Sequence, residues 1–332
     1  MNLRTIAEMA GVSPATVSNV INGKNGKVSE KTRLRIEEII RETDYTPARS
    51  AGSRHKIRTV GMVLPFVSHE AGYMVSHYAA YCLAQLELRA AENGFRVMLF
   101  TGISLQDAEE KMQDGALDGV IVVGAFEKEA MAFQEAVRIP VVFVDTCTES
   151  PDLVTVGIDD YRGGFLMARY LIARGHRKFA LATPDYREGV IRERIRGFRD
   201  ACSESGIGFT QSDIYQTDTL FHNGINVGQD IALSGKGYTA IAALSDDMAL
   251  WIIVGMRQCG ILVPENCSVI GFDGLREGDG YAPRLTSVEQ NITLKIDVAV
   301  GYLMRMMDGE KPEVHDSLPV QIREGESVAS LQ

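Results

Sequence analysis

From Thr59 onward the chain alternates short apolar runs with longer amphipathic segments, a pattern that few architectures can satisfy. The runs Val60–Leu64, Arg96–Phe100, Val120–Val123, Val141–Val144 and Val154–Ile158 read as strands. Phe179–Ala182, Asp213–Tyr215, Ala240–Ala243 and Val269–Phe272 form a second set, and Val320–Ile322 is the last strand. The stretches between them carry helical periodicity, notably 75–93, 127–138, 163–174, 191–205, 225–234 and 248–259. Strands of this kind are apolar throughout because helices cover both faces of a parallel sheet. Two sets predict two similar doubly wound α/β lobes. Open sheets of this type bind ligands beyond the carboxyl ends of their strands, so residues just after strands are the ones to inspect.

Several functions are disfavoured at once. There is no GxGxxG and no Walker loop, and Gly163-Gly164 follows a strand without the spacing of a nucleotide fingerprint. The five cysteines, Cys82, Cys147, Cys202, Cys259 and Cys267, are odd in number and scattered, with no CxxC. They suit a reducing compartment and offer no metal site. Continuous apolar runs are too short for a membrane span, and the N-terminus lacks a signal-peptide core. A cytoplasmic protein without metal or cofactor is expected.

The net charge of −10 conceals an asymmetry. Residues 1–59 hold 11 Lys or Arg against 6 Asp or Glu, whereas the remaining 273 hold 23 against 38. A basic module therefore precedes an acidic body, and a basic module steers toward phosphates. In that module Asn2 can cap a helix over 3–10, and Gly11 ends it. Ser13 caps a second helix, with Pro14 at its first position, where the missing N–H costs nothing. Val17, Val20 and Ile21 face inward. A polar loop follows, and Ser29 caps a third helix whose Leu34, Ile36, Ile39 and Ile40 close a small core. Two short helices across a tight turn, backed by a third, are a helix-turn-helix. The second helix is sized for the major groove, and its small outer residues allow close approach. Thr16 and Ser18 can give hydroxyls to phosphates or base edges, and Asn19 can bond to adenine. The plainer alternative is a three-helix packing module that binds no nucleic acid.

The segment from Asn2 to Pro47 resembles the DNA-binding head of the LacI/GalR family of bacterial transcriptional regulators. Ala7, Ala10-Gly11-Val12-Ser13, Thr16-Val17-Ser18, Asn22, Val28-Ser29, Thr32-Arg33 and Tyr45-x-Pro47 carry the resemblance. It implies that Pro14, Ala15 and Asn19 read operator bases, with Ser13, Thr16, Ser18 and Asn22 as further DNA contacts. Many members carry Arg where this chain has Asn19. Asn cannot reproduce the bidentate Arg contact to guanine, so the preferred half-site should differ there. The hinge also departs from the family. Its usual wedge leucine is missing, Ala48 stands for an Asn, and Gly52 raises the cost of a helix by about 1 kcal/mol relative to alanine. Arg49 and Arg54 are expected to touch the minor groove or phosphates; a plain basic linker is the equal alternative.

The resemblance extends through the body. Leu117-Asp118-Gly119, Pro140–Asp145, Asp159-Asp160-x-x-Gly163, Gly175-His176-Arg177, Arg194-x-x-Gly197-Phe198, Val263-Pro264-Glu265 and Gly271-Phe272-Asp273 carry it, and Leu285–Val288 resembles a crossover between lobes. It implies a head at 1–47, a hinge at 48–59 and a periplasmic-binding-protein-like body at 60–332. The N-lobe would span about 60–159 and 289–319, the C-lobe about 160–288 and 320–332. Carried over by position, Arg194, Asp246 and Asp273 are candidate effector contacts. Ser245 replaces the usual Asn there, and Ser68, Tyr73 and Phe221 are further candidates. Against these stand structural roles: Arg194 pairing with Glu193 or Asp200, Asp246 as a helix cap, Asp273 capping a loop. His176 is expected to be structural.

The combined reading is a dimeric repressor that binds double-stranded operator DNA and is released by a small effector (a sugar, sugar acid, polyol or nucleoside). One alternative is a binding protein whose head has lost specific DNA binding. Another is an enzyme acting on a sugar or nucleotide, for which the sequence offers no triad, metal set or phosphate loop.

Overall fold

The computed structural model describes residues 3–21, 28–43, 57–65, 76–112, 117–184, 189–217, 221–280, 282–312 and 315–331. The chain divides into two compact units, 1–56 and 57–332.

The first unit holds α1 (Leu3–Ala10), α2 (Pro14–Ile21) and α3 (Glu30–Glu42). Gly11 ends α1 with φ 65, and its N–H bonds to the Glu8 carbonyl at 3.1 Å. Ser29 caps α3 by accepting the Thr32 N–H at 3.3 Å. Ile6, Ala7, Ala10, Val17, Val20, Ile36 and Ile39 form the core, with Ile40 packed against it. Leu34 does not join them. It is 54% exposed because it lies on the helix face opposite Ile36 and Ile39, which corrects the expectation that it closes the core.

The second unit contains two six-stranded sheets. One uses β1 (Thr59–Leu64), β2 (Arg96–Thr101), β3 (Gly119–Val123), β4 (Val141–Val144), β5 (Thr155–Ile158) and β11 (His315–Leu318), in the order β11-β5-β4-β3-β1-β2, all parallel. The other uses β6 (Phe179–Pro184), β7 (Ile214–Thr217), β8 (Ala240–Ala243), β9 (Ser268–Asp273), β10 (Thr286–Gln290) and β12 (Val320–Arg323). Its order is β12-β10-β9-β8-β6-β7, with only β12 antiparallel to its neighbour. The chain passes between the sheets after β5, after β10 and after β11. Central strands such as β3, β4 and β9 are buried at every residue, as helices on both faces require.

Helices α4 (His77–Asn93), α5 (Leu105–Met112) and α6 (Glu127–Ala136) flank the first sheet. The second is flanked by α7 (Asp160–Ala173), α8 (Gly189–Glu204), α9 (Phe221–Leu233) and α10 (Asp246–Gln258). Helix α11 (Ile292–Met307) returns to the first sheet and buries Ile292, Ile296, Ala299, Val300 and Leu303 there. Strands β10 and β11 were not among the expected strands. His315-Asp316-Ser317-Leu318 has no apolar run to reveal it, because it is an edge strand with polar residues outward. Among the described residues, no helix is long and apolar enough to cross a membrane.

Candidate functional site

All strands but β12 run parallel, so the carboxyl ends of each sheet gather side chains at one edge of its lobe. Asp145 follows β4, Asp273 ends β9, and Leu244 follows β8. Helix starts add Tyr78 on α4, Asp160 on α7 and Asp246 on α10, while Arg194 comes from α8 and Lys295 from α11.

Arg194 is buried, and its Nε donates to Asp160 Oδ1 at 2.7 Å. One Nη donates to the Leu244 carbonyl at 3.0 Å, and the guanidinium lies 3.7 Å from the centre of the Phe272 ring. Neither Glu193 nor Asp200 takes it: Glu193 pairs with Arg192 and Arg196, and Asp200 accepts from Tyr161. Glycine permits this placement. A Cβ on Gly164 would stand 1.9 Å from the Arg194 carbonyl oxygen, and one on Gly197 equally close to that of Tyr161. Gly163-Gly164 is thus a packing face of α7, not a phosphate cradle.

A second buried chain joins the lobes. Lys295 Nζ, fully enclosed, donates to Asp145 Oδ1 at 2.6 Å, to Tyr78 Oη at 3.1 Å and to Gln290 Oε1. Tyr78 in turn donates to Asp145. Gln290 Nε2 donates to Asp273 Oδ1 at 2.7 Å. The path from Tyr78 through Asp145, Lys295 and Gln290 to Asp273 therefore runs from the first lobe into the second. At the rim, His77 Nδ1 and Asp247 Oδ1 lie 2.5 Å apart across the same divide.

Burial dominates the electrostatics. It pushes the Asp160 carboxyl up to about 6 against the pull of Arg194. It pushes Asp273 up to about 7 against Arg194 and the Gln290 amide. Asp246 is raised well above the usual carboxylate range by burial and the nearby Asp273 charge. Asp145 and Asp273 are also the non-glycine residues with positive φ among the described residues, at 56° and 121°. Such strained backbone persists where surrounding structure imposes it, and it concentrates at functional sites.

The expected effector residues separate into groups. Arg194 and Asp273 belong to this buried cluster. Asp246 accepts from the Leu275 N–H at 2.6 Å and the Ser287 hydroxyl at 2.5 Å, which engages both of its oxygens within its own lobe. The cap of α10 is Ser245, whose hydroxyl accepts the Met248 N–H at 3.2 Å, rather than Asp246. Ser68, Tyr73 and the side chain of Phe221 lie outside the described residues. His176 is structural, bonded to Thr239 at 3.1 Å and the Ala329 carbonyl at 3.0 Å. Sequence reasoning did not single out Tyr78, Asp145, Asp160, Gln290 or Lys295 as site residues. For Lys295 a signal existed: it stands on the apolar stripe Ile292, Ile296, Ala299, Leu303 of α11, where an unpaired charge would be costly.

In the head, Ser13, Pro14 and Ala15 are exposed, and Thr16, Ser18 and Asn19 are half-buried; Ser13 immediately precedes α2 and the others lie along it. Ser13 accepts the Thr16 N–H at 3.2 Å, which is the expected cap. Asn22, Arg49 and Arg54 lie outside the described residues.

Residues 2–48 match the family of bacterial regulatory proteins of the lacI type, and residues 168–328 match the periplasmic binding protein-like domain. The transcriptional regulator DegA of Bacillus subtilis is 31% identical over 297 residues, 86% of each chain. The transcriptional repressor PurR of Klebsiella pneumoniae is 29% identical, over 87% of this chain and 85% of its own. Among solved structures, the lac repressor dimer bound to operator and an anti-inducer aligns with a TM-score of 0.81 at 24% identity, covering 99% of both chains. The regulator CelR in complex with cellobiose aligns at 0.73 and 25% identity, covering 98% of this chain and 99% of its own.

Proposed function

Since the chain belongs to the LacI family of bacterial regulatory proteins, a family of transcriptional regulators and not of enzymes, we propose that it is a dimeric cytoplasmic repressor, released from its operator by a sugar-like effector. The observation that carries the effector half is the buried cluster of Arg194, Asp160, Asp145, Lys295, Gln290 and Asp273, assembled from both lobes at the strand ends. A ligand that touches both lobes favours one relative placement of them over another, and only such differential contact can shift an equilibrium. A polyhydroxylated ligand suits carboxylates and a guanidinium, and the CelR relative holds cellobiose.

Operator contact falls to Ser13, Pro14, Ala15, Thr16, Ser18 and Asn19 on α2, with Asn22, Arg49 and Arg54 as further contacts. One head offers little contact, so two half-sites bound together multiply the affinity. The dimer surface is the outer edge of the first sheet. Strand β2 is an edge strand, and it exposes Met98 and Leu99 at 41% and 42%; Leu88 of α4 is exposed as well. Exposed apolar residues on an unpaired edge call for a partner.

The test is a thermal-shift screen of the full-length protein against sugars, sugar acids, polyols and nucleosides, with each hit then added to a DNA-binding assay. At about 100-fold saturation a ligand stabilises the native state by roughly 2.7 kcal/mol. A hit that weakens DNA binding supports release by effector. A hit that strengthens it reverses the sign, and hits without any effect on DNA binding overturn the reading.

A further inference from the structure

We propose that the outer face of α8 carries a second ligand site, which takes a phosphate group, free or as the monoester of a small molecule. It lies on the side of α8 away from the buried cluster and does not depend on the effector reading. Helix α8 buries Ile191, Arg194, Ile195 and Phe198, and Arg194 joins that cluster. Arg192, Arg196 and Arg199 recur at i, i+4 and i+7, so they share the opposite face, and all three are exposed. Together with Ile195 and Asp200 they line a hollow of about 330 Å³, the lower end of the range for small-molecule sites.

These arginines are short of counter-charge. Acidic residues outnumber basic ones in the body, yet here three guanidiniums meet two carboxylates. One of these, Glu193, is shared by Arg192 at 3.3 Å and Arg196 at 2.6 Å. The other, Asp200, accepts from the Tyr161 hydroxyl at 3.0 Å. Arg199 donates to the neutral Gln211 side chain at 3.0 Å and has no ion pair among the described residues. Like charges one turn apart on a helix repel one another, so a bound anion relieves the face. The protein bonds use few of the five N–H donors on each guanidinium.

The geometry suits phosphate better than a carboxylate. A carboxylate has two oxygens, which one guanidinium fork already satisfies. A phosphate monoester has three terminal oxygens and close to two charges, so it can accept from two guanidiniums at once. Arg196 is held ready for this, with its guanidinium 4.7 Å from the centre of the Tyr161 ring. Asp200 can accept a hydroxyl from the remainder of the ligand. Arg192 also acts on the Cys147 thiol of the first lobe, so an anion held here bears on the boundary between the lobes.

Calorimetric titration of the full-length protein with inorganic phosphate, glycerol 3-phosphate, glycerol and acetate, in chloride buffer of constant ionic strength, tests this. Both phosphates should bind saturably at one site per chain, and glycerol and acetate should not. Arg196→Gln with Arg199→Gln should weaken phosphate binding at least tenfold while leaving the circular dichroism melt of the body in place. Arg199→Gln alone serves if the double variant does not fold. Arg169→Gln, at an exposed arginine of α7 outside the hollow, should leave binding unchanged. Tighter binding of glycerol 3-phosphate than of phosphate supports a monoester as the occupant, and equal binding supports the free ion. No saturable phosphate binding, acetate binding as tight as phosphate, or phosphate binding that survives the arginine substitutions would overturn the proposal.

Discussion

Asp160 and Arg194 illustrate how much one buried contact governs. Both are enclosed, so removing either charge strands the other. Asp160→Asn should cost about 3–5 kcal/mol in chemical denaturation of the body, the usual penalty for breaking a buried pair from one side. An exposed pair such as Arg305 with Glu310 should cost under about 1 kcal/mol when broken. The pH response follows from burial too. Asp273 and Asp160 have carboxyls raised in the folded state, to about 7 and about 6. A raised acid binds its proton in the folded state first, so ligand-free stability should rise as the pH falls from about 8 toward 6. His176 is lowered by burial and opposes this as the pH falls through its ordinary value of about 6.5, where the unfolded chain takes up the proton first. Denaturation curves across that window check the sign, and Asp273→Asn should flatten the rise. At this scale the sequence was only partly readable. Arg194 and Asp273 stand out because each falls beside a recognisable run, whereas Asp145 and Asp160 acquire their meaning from partners 150 and 34 residues away.

Among the elements, the central strands and most helices declare themselves by apolar runs and periodicity, and their limits shift by only a few residues. Helix α7 begins at Asp160, ahead of the expected 163, because Asp159 accepts the Arg162 N–H and caps it. What periodicity cannot show is how closely two helices approach. Helices α7 and α8 meet at Gly164 and Gly197, where an added methyl would overlap backbone. Gly164→Ala should therefore prevent normal folding or cost several kcal/mol by overpacking. Gly157→Ala in β5 meets nothing within 4 Å and should be tolerated. Circular dichroism melts of the two variants separate these outcomes. In the head, Ser29→Ala should remove about 1 kcal/mol from α3 while leaving the body transition in place, since the two units are compact on their own.

For the whole molecule, two α/β lobes behind a helix-turn-helix were legible because alternation and charge asymmetry are global properties. The pairing of edge strands was not, since β11 reaches the first sheet only after the chain has laid down five strands of the second. The exposed β2 edge sets an expectation for assembly. Met98→Glu with Leu99→Glu should give a monomer in sedimentation and weaken operator binding at least tenfold, whereas dimers unchanged by the pair would place the interface elsewhere. The claim on which the rest depends is that α2 reads DNA in sequence. The direct measurement is selection of binding sites from a randomised duplex pool by the full-length protein, followed by titration of the enriched duplex at two salt concentrations. The expected result is a two-fold symmetric site that survives competitor DNA, with an affinity that falls steeply as salt rises. A pool that emerges without sequence preference, or binding no tighter than to random duplex, would contradict it.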